Sequence, residues 1–116
     1  LVRLPYHLST LTQTVAKVAL SYAAQLQKDL QVLRQERDAL VAWLRSVGFT
    51  AAESDANFVL FSHFPDRHAV WQALVNRGVL IREVGPDGWL RVTIGTPNEM
   101  KTFKQALLDV TGKVST

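Results

Sequence analysis

The chain has 116 residues, 47% of them apolar and 20% charged, with a formal net charge of +3, a balance that suits one globular domain and excludes a disordered chain. Lysines and arginines are scattered among acids, which excludes the basic run that tracks a phosphate backbone, so no nucleic-acid partner is expected. The absence of cysteine removes disulfides, thiolate metal sites and a cysteine nucleophile, and no stretch approaches the ~20 apolar residues of a membrane span, so a cytoplasmic protein with no membrane partner is expected.

The first nine residues, Leu1-Val2-Arg3-Leu4-Pro5-Tyr6-His7-Leu8-Ser9, are held extended by Pro5. They are not a signal peptide. A chain that starts without Met in an apolar extended run is expected to be a piece of a longer polypeptide. A helix should follow, capped either by Ser9 or by a Thr10/Gln13 capping box. No Gly or Pro interrupts residues 10–47, and Leu26, Leu30, Leu33, Leu40, Leu44 and Val47 fall on one face at helical spacing. Gly48 is the expected stop. As one rod this helix would be ~57 Å long, against ~35 Å for the whole domain. It should therefore be bent or split near residues 21–24, or its first part should project. That first part, with Val15, Ala16, Val18, Ala19, Leu20, Ala23 and Ala24, suits packing against another element better than exposure to water.

Asn57-Phe58-Val59-Leu60-Phe61-Ser62-His63 is apolar on both faces, which predicts a central strand covered on each side. Asp66 can cap a helix running to Arg77, with Ala69, Val70, Ala73 and Leu74 inward and Gly78 ending it. Val79-Leu80-Ile81-Arg82-Glu83-Val84 and Trp89-Leu90-Arg91-Val92-Thr93-Ile94-Gly95-Thr96 read as two strands, joined by the turn chemistry of Gly85-Pro86-Asp87-Gly88. A turn centred on Pro86-Asp87 sets Arg82 opposite Arg91. A turn centred on Asp87-Gly88 slides the register and separates them. Like charges opposed across a ladder repel. An opposed pair makes sense where an anion is held between the two donor forks; the bland alternative is exposed arginines that keep an edge soluble.

Thr96-Pro97-Asn98-Glu99 is a strong helix start, with Thr as N-cap, Pro at the first position and Glu closing a capping box. Met100, Phe103, Leu107 and Val110 form its apolar face, and fraying is expected from Thr111 onward. Gly95 before it could let backbone approach a ligand, although a tight turn explains it equally. The fold class that follows is α+β: a long N-terminal helix, bent or split, then strand-helix-strand-strand-helix, with a small, mostly antiparallel sheet and helices packed on one face.

Catalytic constellations are absent from the pattern. His7, His63 and His68 have neither metal-ligand nor triad spacing, so no metal is expected. Glu36, Asp38, Glu53, Asp55, Asp66, Glu83 and Asp87 fall on predicted solvent faces, caps or turns, and Trp43, Trp71 and Trp89 read as packing residues. The residues alone offer an anion-binding hairpin and no chemical engine.

Four segments carry a resemblance. Arg3-Leu4-Pro5-Tyr6-His7-Leu8-Ser9, Ser54-Asp55-Ala56-Asn57-Phe58-Val59-Leu60-Phe61, Gly78-Val79-Leu80-Ile81-Arg82-Glu83-Val84 and Leu90-Arg91-Val92-Thr93-Ile94-Gly95-Thr96-Pro97-Asn98-Glu99 together resemble the C-terminal part of the histidinol-phosphate aminotransferase family. The match runs in order through the chain and keeps the spacing of the two arginines. The resemblance implies a small C-terminal domain of a fold type I enzyme, spanning 1–116 with 1–9 as the hinge from a large domain. That large domain would carry pyridoxal phosphate and its Schiff-base lysine. The implied reaction transfers an amino group between glutamate and imidazole-acetol phosphate, giving 2-oxoglutarate and histidinol phosphate in histidine biosynthesis, in a homodimer. Arg91 and Arg82 match substrate-binding arginines, and no catalytic or cofactor contact is implied for any residue of this chain. Aromatic-amino-acid aminotransferases share much of the pattern. From another class, a free-standing α+β ligand-sensing or interaction module would also account for a chain without catalytic groups.

Overall fold

The computed structural model describes residues 8–113. Residues 1–7 of the expected hinge, with Tyr6 and His7, lie outside them, as do 114–116 of the stretch expected to fray. That expectation fails at its start, because Thr111 still belongs to the last helix, Gly112 caps it and Lys113 is bonded to the Val47 and Gly48 carbonyls. Two compact units divide the chain, Leu1–Gln31 and Val32–Thr116.

In the first unit, helix α1 (Thr10–Ser21) starts at Ser9, whose Oγ accepts the Thr12 N–H at 3.1 Å. Ser9 and not Thr10 is the cap. The helix breaks at Tyr22 (φ −98°, ψ 14°), inside residues 21–24, where a bend or split is one of the two outcomes the length argument allows. The chemistry there is a competition for one carbonyl. Ser21 Oγ donates to Val18 C=O at 2.6 Å, while the Tyr22 N–H turns to Ala19 C=O at 3.0 Å, a tightened turn that interrupts the regular ladder. Helix α2 (Ala23–Ser46) begins immediately after. No residue of α1 is buried, and Leu11, Val15, Val18 and Leu20 are all exposed.

The second unit holds the core. Helix α2 ends as the glycine predicts: Gly48 adopts φ +81°, its N–H bonds Arg45 C=O at 3.1 Å, and the Phe49 N–H bonds Leu44 C=O at 2.9 Å, the paired bonds of a Schellman cap. Lys113 Nζ adds bonds to the Val47 and Gly48 carbonyls, each 2.9 Å. Strand β1 (Thr50–Ala51) follows, a two-residue element with no sequence signal of its own. It pairs antiparallel with β2 (Phe58–Ser62), and β2 pairs antiparallel with β3 (Leu90–Thr93), in the order β1-β2-β3.

Between β2 and β3 lies helix α3 (Arg67–Val75), capped by Asp66 Oδ1 accepting the Ala69 N–H at 2.9 Å. It ends two residues before the expected Arg77, because Gly78 and Val79 close a second Schellman pair on Val75 and Leu74. Of the four residues expected inward, Leu74 is buried and Ala69 is exposed; Trp71 is half-buried in its stead. Helix α4 (Pro97–Thr111) has both bonds of the expected capping box and ends on Gly112 in the left-handed region.

The core is one cluster. Val59, Phe61, Leu90 and Val92 on one face of the sheet meet Leu40 and Leu44 of α2, Leu74 of α3, and Met100, Phe103 and Leu107 of α4. Phe61 and Phe103 meet edge to face, with ring centroids 5.8 Å apart. The opposite face of the sheet carries Phe58, Leu60, Ser62, Arg91 and Thr93, of which Ser62 alone is buried. Expected cover on both sides of β2 is therefore complete on one side only. This half-open face carries the site.

Candidate functional site

Arg82 and Arg91 form an isolated antiparallel bridge. The Arg82 N–H donates to Arg91 C=O and the Arg91 N–H to Arg82 C=O, both at 2.9 Å. This mutual exchange defines directly opposed residues, and opposed residues project to the same face of a sheet. On that face Arg91 is opposite Leu60 of β2.

The route to this register differs from the sequence expectation. The tight turn is centred on Asp87-Gly88: the Trp89 N–H donates to Pro86 C=O at 3.1 Å, and Gly88 sits at φ +77°, as the third position of a type II turn requires. Such a turn was expected to separate the arginines. Instead Glu83, Val84 and Gly85 lie between Arg82 and the turn, against Leu90 alone on the return, and the surplus residues leave the ladder. Gly85 (φ +110°) folds over Leu60, where an added Cβ would come 3.2 Å from Leu60 Cδ2. The first arm is accordingly not a strand; only Arg82 pairs with β3. On its other side the arm is tied to α3, with the Val79 N–H on Leu74 C=O and Trp71 Nε1–H on Ile81 C=O, both at 3.0 Å.

The guanidinium of Arg91 lies over the Phe58 ring, 4.7 Å from its centroid, a cation–π contact that fixes the plane of the fork. Its Nε is buried without a hydrogen-bond partner among the described residues. Neither Arg82 nor Arg91 takes part in an ion pair there. The acid next to Arg82 in sequence, Glu83, is engaged elsewhere: Arg67 Nε lies 3.4 Å from one carboxylate oxygen and His68 Nδ1 2.9 Å from the other. A buried donor left unbonded costs about 1–3 kcal/mol, and an opposed cationic pair adds repulsion. A planar anion accepting from the outer nitrogens of the two forks offsets the repulsion.

The sequence reading had the two arginines and missed their surroundings. Phe58 was assigned to the core, and Arg67 and His68 were given no role. The ring is diagonal to Arg91 in the ladder, with Phe58 opposite Thr93, so the register held the signal. His63, assigned nothing, bonds Thr50 Oγ1 through Nε2 at 3.1 Å. Gly95 matches neither reading directly: it makes no turn, and a Cβ there would come 2.5 Å from Glu99 Oε2, so the glycine leaves room for the α4 cap. The lysines of the second unit lie apart from the arginine pair: Lys113 is bonded to the end of α2, Lys104 Nζ is 5.6 Å from the centroid of the Trp43 ring, and Lys101 is exposed on α4.

Residues 1–107 match the family model for aminotransferase class I and II. The chain belongs to this family. Among its relatives are a histidinol-phosphate aminotransferase of Thermobifida fusca, 66% identical over 113 residues, and histidinol-phosphate aminotransferase 3 of Burkholderia lata, 54% identical over 110 residues. The matches take in 97% and 95% of this chain but only 31% and 30% of those proteins. The chain thus spans about three-tenths of the length of these aminotransferases. The fold is also that of part of the histidinol-phosphate aminotransferase from Clostridium acetobutylicum, with a TM-score of 0.81 at 21% identity, over 95% of this chain and 35% of that one.

Proposed function

We propose that these 116 residues are the small C-terminal domain of an aminotransferase that moves an amino group between glutamate and imidazole-acetol phosphate in histidine biosynthesis. In this reading residues 1–9 are the hinge to a larger domain, and Arg91 and Arg82 hold the acidic groups of the substrates. The observation that carries it is the opposed arginine pair, neither member of which has an acidic partner among the described residues. Both substrates are anionic in ways that suit it. Glutamate brings carboxylates, histidinol phosphate brings a phosphate, and a guanidinium fork accommodates either with two parallel hydrogen bonds. The names of the relatives support histidinol phosphate over an aromatic amino acid.

Class I and II aminotransferases generally depend on pyridoxal phosphate. The described residues of the second unit do not fit the anchoring of that cofactor, because none of its lysines stands beside the arginine pair, and the reading assigns it to the larger domain. The role of this chain is then to bind and orient. Arg91, its plane set by Phe58, fixes one acidic group. Arg82 supplies a second charge from the same face. The exposed apolar residues Leu11, Val15, Val18, Leu20, Leu26 and Leu30 support burial of the first unit against the larger domain and a second subunit.

The test is substrate discrimination by the full-length enzyme that contains this chain. Amino transfer from histidinol phosphate should exceed transfer from phenylalanine in kcat/KM. Equal or reversed preference would sink the assignment to histidine biosynthesis.

A further inference from the structure

We propose that Arg67, at the start of α3, is a positioning residue that sets Arg82 opposite Arg91. The inference rests on the anion-binding reading of the two arginines. One mutual bridge is all that joins the Arg82 arm to β3 among the described residues, and a single pair does not hold a register by itself. The arm needs a second anchor beyond the bridge, on the side of the turn. Arg67 supplies it. Its Nη1 donates to Gly85 C=O at 3.2 Å and to Pro86 C=O at 2.9 Å, and its Nε lies 3.4 Å from Glu83 Oε1. Residues 83–86 are thus held by one planar group at three points.

These points are where the arm has left the ladder: the carbonyl of Gly85 meets a donor it would otherwise lack, while the carbonyl of Pro86, already bonded to the Trp89 N–H, and the carboxylate of Glu83, already bonded to His68, each gain a second. Glu83 follows Arg82 directly, and alternation along an extended arm sends its side chain to the opposite side. Pinning Glu83 to α3 therefore turns Arg82 toward Arg91's face. His68 Nδ1, 2.9 Å from Glu83 Oε2, completes the grip. The side chain of Arg67 is 27% exposed, which separates it from the freely solvated ion pairs that contribute nothing measurable. The turn tip is docked independently, with the Phe64 N–H donating to Gly88 C=O at 3.1 Å. Loss of Arg67 should loosen the segment between tip and bridge without unfolding the hairpin.

The test uses the 116-residue chain, nitrogen-15 NMR and inorganic phosphate as probe. In the wild type the side-chain Nε–H signals of Arg82 and Arg91 should shift together on a saturating curve. Arg67→Lys keeps the charge and loses the fork; Arg67→Gln loses both. Each should weaken phosphate binding roughly fivefold, about the worth of one hydrogen bond, and speed amide exchange at Arg82 and Arg91 while the α4 amides stay as protected as before. Arg45→Gln removes an equal charge from a residue paired with Glu53 and should leave affinity unchanged. A role in stability alone would lower global protection and leave the affinity of the folded chain intact. Wild-type affinity and Arg82 exchange in both Arg67 variants would overturn the proposal. A wild type that does not respond to phosphate would defeat the anion reading, and the exchange at Arg82 would still decide whether Arg67 positions it.

Discussion

The guanidinium carbon of Arg91 stands 4.7 Å above the ring of Phe58, so the residue that opens β2 sets the plane of a fork that β3 carries. Replacing Phe58 with Leu keeps an apolar residue at this half-buried position and removes the negative ring face. Phosphate affinity should fall by about 0.5–2 kcal/mol, the range of cation–π contacts, with the β2–β3 amides unchanged. Titration calorimetry checks this. An unchanged affinity would mean that the ring only fills space.

Gly88 combines φ +77° with close approach, an added Cβ coming 3.2 Å from Phe64 C=O. Gly88→Ala should cost about 1–2 kcal/mol through the left-handed backbone alone, read as a lowered urea midpoint at constant slope. Gly112, also at positive φ, has open space around it and caps the end of α4, so Gly112→Asn should cost less.

Two groups give opposite pH dependences. The hydrogen bond and charge of Glu83 raise the pKa of His68 above its ordinary 6.5, with Asp66 adding to them. The stability this gives is fully present below 6.5 and is lost as pH rises through the raised value. Hydrogen bonds from the backbone and side chain of Thr96 lower the pKa of Glu99 below its ordinary 4.5. Its contribution is present above 4.5 and is lost as pH falls through the lowered value. Amide protection, taken relative to the intrinsic exchange rate at each pH, should fall near Glu83 at alkaline pH and at the start of α4 in acid. His68→Gln should flatten the first trend and leave the second.

The exposed apolar side chains of α1, among them Leu11 at 74% and Leu20 at 73%, should bind a hydrophobic dye in the isolated chain. Leu11→Ser with Leu20→Ser should reduce the dye signal without changing the protection of the Phe61 and Phe103 core. No dye binding by the wild type would count against burial of this face in a larger assembly.

What could be read from the sequence was local and periodic. Thr96-Pro97-Asn98-Glu99 announced α4 because a capping box is complete within four residues, and Gly48 and Gly78 announced helix ends because glycine enters their left-handed conformation without the cost a Cβ brings. The helix break was legible from length, while its site at Tyr22 depended on a serine competing for one carbonyl. β1 was not legible, since two residues carry no period. The arm before the turn was read as a strand from its β-branched composition, but long-range bonds from Trp71 and Arg67 displaced the ladder. Those partners lie in α3, and no local pattern in the arm reports them. The arginine pair survived a mistaken turn because the surplus of two residues in one arm compensated for the shifted centre.

The central claim is that Arg91 holds a substrate anion through a planar fork. Arg91→Lys in the full-length enzyme keeps the charge and loses the fork, so kcat/KM should fall by about 2–4 kcal/mol for the substrate whose acidic group it holds. Arg82→Lys should cost less. The glutamate and histidinol phosphate half-reactions are to be measured separately, since one substrate brings carboxylates and the other a phosphate without a carboxylate. The account predicts a large loss in at least one half-reaction with cofactor binding intact. Unchanged kcat/KM in both would remove the hairpin from the active site and leave the two arginines as solubilising charges on a sheet edge.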